Sequence, residues 1–126
     1  RGPWFFCTPA ARAMGMVAAH AFTRNKNQGG GGYNHNFPDI LGFTQVNDWM
    51  IAGPNIMPAA GDVDPMQGMS GWKSPFSHES EIIQPGYHRL YLDRYNAWVE
   101  YTATDRAALY RVNYTWTWAA RWATVR

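Results

Sequence analysis

Between Gly42 and Trp49 the chain reads Gly42-Phe43-Thr44-Gln45-Val46-Asn47-Asp48-Trp49, a run in which hydrogen-bonding side chains lead up to a tryptophan. Two amides, a carboxylate and an indole so close together make poor core material. They suit a sugar well, because Gln45, Asn47 and Asp48 can hold hydroxyls while the Trp49 ring covers the apolar face of a pyranose.

Other residues invite chemical readings that their spacing weakens. Glu79 and Glu81 on one strand would share a face at roughly 7 Å, inside the separation of about 6.5–9.5 Å that an inverting glycosidase uses for its acid and base. Carboxylates two positions apart more commonly mark a solvated strand face, and this chain is expected to carry no catalytic residue. His78, Glu79 and Glu81 could hold a metal, yet no His-Glu-x-x-His is present and no second histidine stands at a zinc-ligand spacing, so no metal site is expected. Asp62-Val63-Asp64 begins like a calcium loop, but Pro65 follows and no glutamate stands at the twelfth position. Gly29-Gly30-Gly31-Gly32 lacks the Gly-Lys-Ser/Thr of a phosphate cradle and reads as a loop. There is no Gly-x-Ser-x-Gly elbow for nucleophilic catalysis, and Cys7, among apolar neighbours, reads as an inert packed thiol.

Composition narrows the classes further. The chain has 126 residues and a formal charge of +2, with eleven basic residues that never cluster. Nucleic acid and anionic membranes are therefore not expected as partners. No apolar run approaches the roughly 20 residues of a membrane span, and no signal peptide is visible. The single cysteine excludes an internal disulfide. Aromatic residues reach 16%, with seven Trp, seven Tyr and six Phe, which favours pleated, half-buried surfaces.

The elements that must position these side chains are legible in part. Residues 1–24 are apolar, and the stretch 10–20, rich in Ala and Met, can be read as a helix that Gly15 weakens. Residues 25–32 read as loop, and residues 55–75, punctuated by Pro58, Gly61, Pro65, Gly68, Gly71 and Pro75, as mostly turn. Beyond Pro85-Gly86 the period becomes two. His88, Leu90 and Leu92 alternate with Tyr87, Arg89 and Tyr91. After a turn at 93–96, Ala97, Val99, Tyr101 and Ala103 alternate with Trp98, Glu100, Thr102 and Thr104. After a turn at Asp105-Arg106, Ala108, Tyr110, Val112 and Tyr114 alternate with Leu109, Arg111 and Asn113. Three such runs predict an antiparallel meander, and with no βαβ alternation the fold class is all-β, an antiparallel β-sandwich.

Six segments in order carry a family likeness: Ala11-Arg12-Ala13-Met14-Gly15-Met16-Val17; Gly32-Tyr33 with Ile40-Leu41-Gly42-Phe43; Asn55-Ile56-Met57-Pro58; Phe76-Ser77-His78-Glu79-Ser80-Glu81 with Pro85-Gly86-Tyr87; Tyr101-Thr102-Ala103-Thr104-Asp105-Arg106; and Leu109-Tyr110-Arg111. Together they resemble the amino-terminal domain of glycoside hydrolase family 92, the calcium-dependent exo-acting α-mannosidases. The likeness runs from about residue 11 to about residue 114, and the tail Trp116–Trp122 is not expected to share it. The resemblance implies a large β-sandwich (a supersandwich) packed on a helical barrel, with an α-mannoside glycan bound between them. It implies calcium and the catalytic acid and base on the helical domain, and inverting single displacement. It also implies a secreted or periplasmic setting. Members are several times longer, so residues 1–126 read as a partial amino-terminal domain without the helical barrel.

Two departures from the family pattern touch chemistry. Where many members carry Ser-His-x-His, this chain has Thr44-Gln45-Val46-Asn47, amides that hydrogen-bond but do not titrate near neutral pH. Met14 stands where phenylalanine is usual, keeping bulk without a stacking face. The expected substrate-binding residues are Gln45, Asn47, Asp48 and Trp49, with Met14 and Gly15 as a close backbone wall. The competing reading is a carbohydrate-binding β-sandwich module without catalysis.

Overall fold

The computed structural model describes residues 10–11, 17–23, 32–45 and 55–115. Within them the chain forms strands β1 (Ala10–Ala11), β2 (Ala18–Phe22), β3 (Asp39–Ile40), β4 (Gly42–Thr44), β5 (Asn55–Ile56), β6 (Ser74–Pro75), β7 (Ile82–Gln84), β8 (Tyr87–Leu92), β9 (Ala97–Ala103) and β10 (Ala108–Tyr114). All pairings are antiparallel. One sheet runs β1-β2-β4-β5, a second runs β10-β9-β8-β7, and β3 pairs with β6 in a two-stranded ribbon. The expected all-β sandwich is the architecture found.

The meander forms as its period predicts. His88, Leu90 and Leu92 of β8 are buried, as are Ala97, Val99, Tyr101 and Ala103 of β9, while their neighbours in sequence are half-buried on the opposite face. Each connection has a local cause. The β7–β8 hairpin turns on Pro85 and Gly86, whose φ of +78° is the positive-φ position that a Pro-Gly turn assigns to glycine. The next turn is a 3₁₀ segment, Asp93–Tyr95, closed by Asn96 in the left-handed region. Between β9 and β10, Thr104 closes the loop: its N–H donates to the Ala107 carbonyl, and its hydroxyl accepts from the Ala107 N–H at 3.0 Å.

The core lies between the two larger sheets. Ala19, Ala21 and Phe43 meet Leu90, Leu92, Val99 and Tyr101 in one cluster. Phe43 sets its edge against Tyr101 at 5.5 Å and against Tyr110 at 6.2 Å between centroids, a seam of aromatic pairs across the layers. The stretch 10–20, readable as a helix on composition, shows strand at Ala10–Ala11 and from Ala18 onward, and no helix among its described residues. Helix propensity, even alanine's, is worth only a fraction of a kcal/mol per residue, and β2 is buried on both faces, so tertiary packing overrides it.

The turn-rich region behaves largely as read. Pro65–Gly71 is two 3₁₀ turns meeting at a kink at Gly68, whose φ is +60°, and Asp64 caps the first, its side chain accepting from the Met66 N–H. Trp72 then donates its indole N–H to the Leu41 carbonyl, and Tyr95 donates its hydroxyl to the Trp72 carbonyl, fastening this region over the core. Gly71 is required by proximity: a Cβ there would lie 1.9 Å from the Asp64 carbonyl oxygen. Gly71→Ala is expected to destabilise the protein by about 1–3 kcal/mol as the turn is forced open, measurable as a lowered denaturation midpoint. An unchanged midpoint would show that the turn relaxes freely.

Candidate functional site

Glu81 is a point where side chains from three separate places, Tyr33, His78 and His88, converge. It follows the 3₁₀ turn His78–Ser80 and immediately precedes β7, and its side chain is only 4% exposed. One oxygen, Oε2, accepts the Tyr33 hydroxyl at 2.8 Å and faces His78 Nδ1 at 2.7 Å. The other, Oε1, accepts from His88 Nε2 at 2.7 Å. His88 stands on the inward face of β8, and its Nδ1 contacts the hydroxyl of Tyr101 on β9. That hydroxyl also accepts from the Ala21 N–H of β2 at 2.8 Å, so the chain of contacts crosses from one sheet to the other.

The electrostatics follow from this arrangement. Burial alone would raise the Glu81 carboxyl, but hydrogen bonds from His88, His78 and Tyr33 outweigh it and hold its pKa down at about 2. Burial, and then the Glu81 carboxylate beside it, push the Tyr33 phenol well above its ordinary value. A carboxylate so engaged on both oxygens is a poor general acid or base. Glu79 does not accompany it: it lies exposed in the turn, where Ser77 caps its N–H. The shared strand face that would have set the two carboxylates about 7 Å apart is not formed, because residues 78–80 are a 3₁₀ turn.

A second histidine does reach His78, from 43 residues away in sequence. Asn34 shapes the turn that presents it, its side chain accepting from the Asn36 N–H at 3.0 Å. The ring of His35 stacks on that of His78 at 3.7 Å, and His78 Nε2 donates to the His35 carbonyl at 2.8 Å. One ligand atom each from His35, His78 and Glu81 lie within 4.8 Å of one another. Calcium does not fit these groups, since it takes six to eight oxygen ligands and two of the three donors here are imidazole nitrogens. Nor does the Asp62-Val63-Asp64 stretch fit it: Asp64 already accepts from Met66 N–H at 3.0 Å and from the Gln67 amide at 2.8 Å.

Of the residues expected to line a sugar site, Gln45 is described, while Met14, Gly15, Asn47, Asp48 and Trp49 lie outside the described residues. Gln45 directly follows β4, half-buried, and its carbonyl accepts from the Ala18 N–H at 3.1 Å. The start of β2 and the end of β4 are thus neighbours, and Thr44 pairs with Asn55 of β5. By connectivity, residues 14–15 lead into this sheet end, and residues 46–54 leave it at Gln45 and return to it at Asn55. Opposite Thr44 in register stands His20, buried, with Nδ1 2.9 Å from the Ala18 carbonyl. Burial lowers the His20 pKa and favours the neutral ring.

Sequence reasoning missed Tyr33, His35, His88 and Tyr101 as members of one polar cluster. A signal was present for two of them, because His88 and Tyr101 fall on the inward phase of β8 and β9, where a buried polar group needs a partner.

The glycosyl hydrolase family 92 N-terminal domain model matches residues 2–122, extending through the tail that the motif likeness had left out. No curated protein matches the chain. Among solved structures, a family GH92 alpha-mannosidase from Bacteroides thetaiotaomicron superposes with a TM-score of 0.65 at 22% identity, over 80% of this chain and 15% of that one. The same enzyme in complex with mannoimidazole superposes with a TM-score of 0.61 at 22% identity, over the same 80% and 15%. The chain therefore spans about 15% of the length of these solved relatives.

The Glu81 network yields a stability prediction with a definite sign. Its carboxyl has a folded pKa of about 2 against an ordinary 4.5, so its contribution is fully present above 4.5 and is lost as pH falls towards 2. Glu81→Gln should cost about 3 kcal/mol at neutral pH and flatten the acid limb of the stability curve in that window. Chemical denaturation at a series of pH values measures both, and parallel acid limbs for the two proteins would refute the assignment.

Proposed function

The chain belongs to glycosyl hydrolase family 92 through its N-terminal domain, and from that premise we propose that it forms one wall of the sugar pocket of an exo-α-mannosidase. Gln45, Asn47 and Asp48 hold hydroxyls of a terminal α-mannoside, Trp49 covers its apolar face, and Met14-Gly15 bring backbone close beside them. The observation that carries this reading is the bond from the Ala18 N–H to the Gln45 carbonyl, which sets the attachment points of both segments at one sheet end. Loops gathered at one end of a rigid sandwich are where binding residues are expected. The mannoimidazole complex of the Bacteroides thetaiotaomicron relative adds support for a mannoside as ligand.

On this reading the chain contributes binding, and residues elsewhere in the full-length protein contribute the chemistry. Both oxygens of Glu81 are engaged, and the His35, His78 and Glu81 group offers two imidazole nitrogens, which suit calcium poorly. The catalytic acid and base, and calcium where the enzyme uses it, then belong to a helical domain packed on this sandwich. That domain and the α-mannoside are the proposed partners, and the family likeness extends to a secreted or periplasmic setting.

The test is release of mannose from α-linked mannobioses by the full-length protein. Activity abolished by a calcium chelator and restored by calcium is expected. Trp49→Ala, in a protein that still folds, should lower kcat/KM by about 10- to 100-fold. Unchanged kcat/KM would remove Trp49 from the pocket. Glycan binding with no mannose release would make the sandwich a binding module instead.

A further inference from the structure

His78 poses a chemical question that the hydrogen bonds around it define. Its Nε2 must carry a proton, because the partner at 2.8 Å is the His35 backbone carbonyl, which can only accept. Its Nδ1 stands 2.7 Å from Oε2 of Glu81, an oxygen that also accepts the Tyr33 hydroxyl. With Nε2 protonated, a neutral His78 presents a lone pair at Nδ1 directly to a carboxylate. A proton fits between the two atoms at that distance, and a metal ion would take its place beside them as the pair opens to ligand spacing.

We propose that His35, His78 and Glu81 form a binding site for a transition-metal dication, zinc above all, separate from any calcium site of the enzyme. The donor set is two imidazoles and one carboxylate, which suits zinc and its first-row neighbours and suits calcium poorly. The three ligand atoms lie within 4.8 Å of one another, against about 3.4 Å between ligands of a tetrahedral zinc. Binding would require the exposed ring of His35 to turn off the His78 ring on which it stacks.

The surroundings are those that metal-binding side chains require. A ligating histidine commonly donates its remaining N–H to a backbone carbonyl, which fixes its tautomer, and His78 does so to His35. The ligating carboxylate is likewise held, by His88 on one oxygen and Tyr33 on the other. His35 is exposed and the His78 side chain is 35% exposed, so a metal here keeps an open side where water completes the coordination. Binding moves one proton: the one on His78 Nδ1 leaves to solvent as the metal takes its place. The ion would clamp the 32–37 segment onto the turn at 78–81, a structural role in which His35 is a ligand and bears on no catalytic step.

The experiment uses full-length protein stripped of metals and reloaded with calcium. Zinc is titrated by calorimetry, and cobalt(II) is added as a spectroscopic probe. Zinc is expected to bind and raise the melting temperature, and cobalt(II) to give the visible absorption of a low-coordinate nitrogen-oxygen site. His35→Ala removes an exposed ring and should leave the metal-free melting temperature unchanged. It should also lose one equivalent of zinc, or weaken it by about 10- to 100-fold, and abolish the cobalt spectrum. The same stoichiometry, affinity and spectrum in His35→Ala would overturn the site, and so would absence of zinc binding by the wild-type protein. The mannose-release assay is read separately, so a failure here leaves the sugar-pocket reading standing and the reverse also holds.

Discussion

Burial of the Glu81 carboxylate is the constraint on which the rest of the structure depends. A charge almost withdrawn from water is costly unless its oxygens are matched by donors, and a partly matched one is worse than none. Here the donors come from three separate places: Tyr33 beyond the glycine-rich segment, His78 in the adjacent turn, and His88 inside the meander. Satisfying one side chain therefore draws together pieces of chain that local propensity would leave apart. The contact then passes through Tyr101 to the backbone of β2, so the same network that neutralises a charge also ties one sheet to the other.

Around that polar centre the packing is conventional for a sandwich. Small residues on β2, Ala19 and Ala21, let the layers approach, and the larger rings of Phe43, Tyr101 and Tyr110 fill the space beside them. The outer face of the meander is amphipathic instead of polar. The Arg89 guanidinium lies 4.0 Å over the Trp98 ring, which in turn tilts against Tyr91 at 5.0 Å. Tyr87 donates to Glu100, which also pairs with Arg111. Exposed pairs of this kind add little stability each. They cover aromatic surface that would otherwise meet water bare.

What the sequence made legible was whatever is encoded locally. The period of two in residues 87–114 gave the meander and its inward face, because side-chain alternation in a strand is geometric. The glycines and prolines of 55–75 marked turns for the same local reason. The motif likeness gave the family, although its limits at residues 11 and 114 fell short of the matched span of 2–122. Two things were hidden. Strand β2 is rich in alanine, whose helix propensity misleads because burial on both faces overrides it. The polar cluster depends on contacts between residues as far apart as His35 and His78, and no spacing rule reaches across a folded sandwich. The pairing of Glu79 with Glu81 failed for a related reason: Ser77, by capping the N–H of Glu79, starts a turn where a strand had been assumed. Of the expected sugar-site residues, Gln45 is described, and it directly follows β4.

The two halves of the chemistry are kept apart in a way that bears on function. The carboxylate–histidine cluster ties the fold together through Glu81, which is engaged on both oxygens. At the sheet end, where the proposed sugar wall begins, the sequence offers the amides Gln45 and Asn47 in place of titrating side chains, and the one buried histidine opposite Thr44 is biased towards its neutral form. Amides keep the same donors and acceptors at every pH in the working range. A wall built from them holds sugar hydroxyls without adding an ionisation of its own, apart from the carboxylate of Asp48. On the proposed reading, the pH dependence of turnover then belongs to the acid and base of the helical domain. On that same reading, the sandwich would supply a surface whose recognition changes little as those groups titrate.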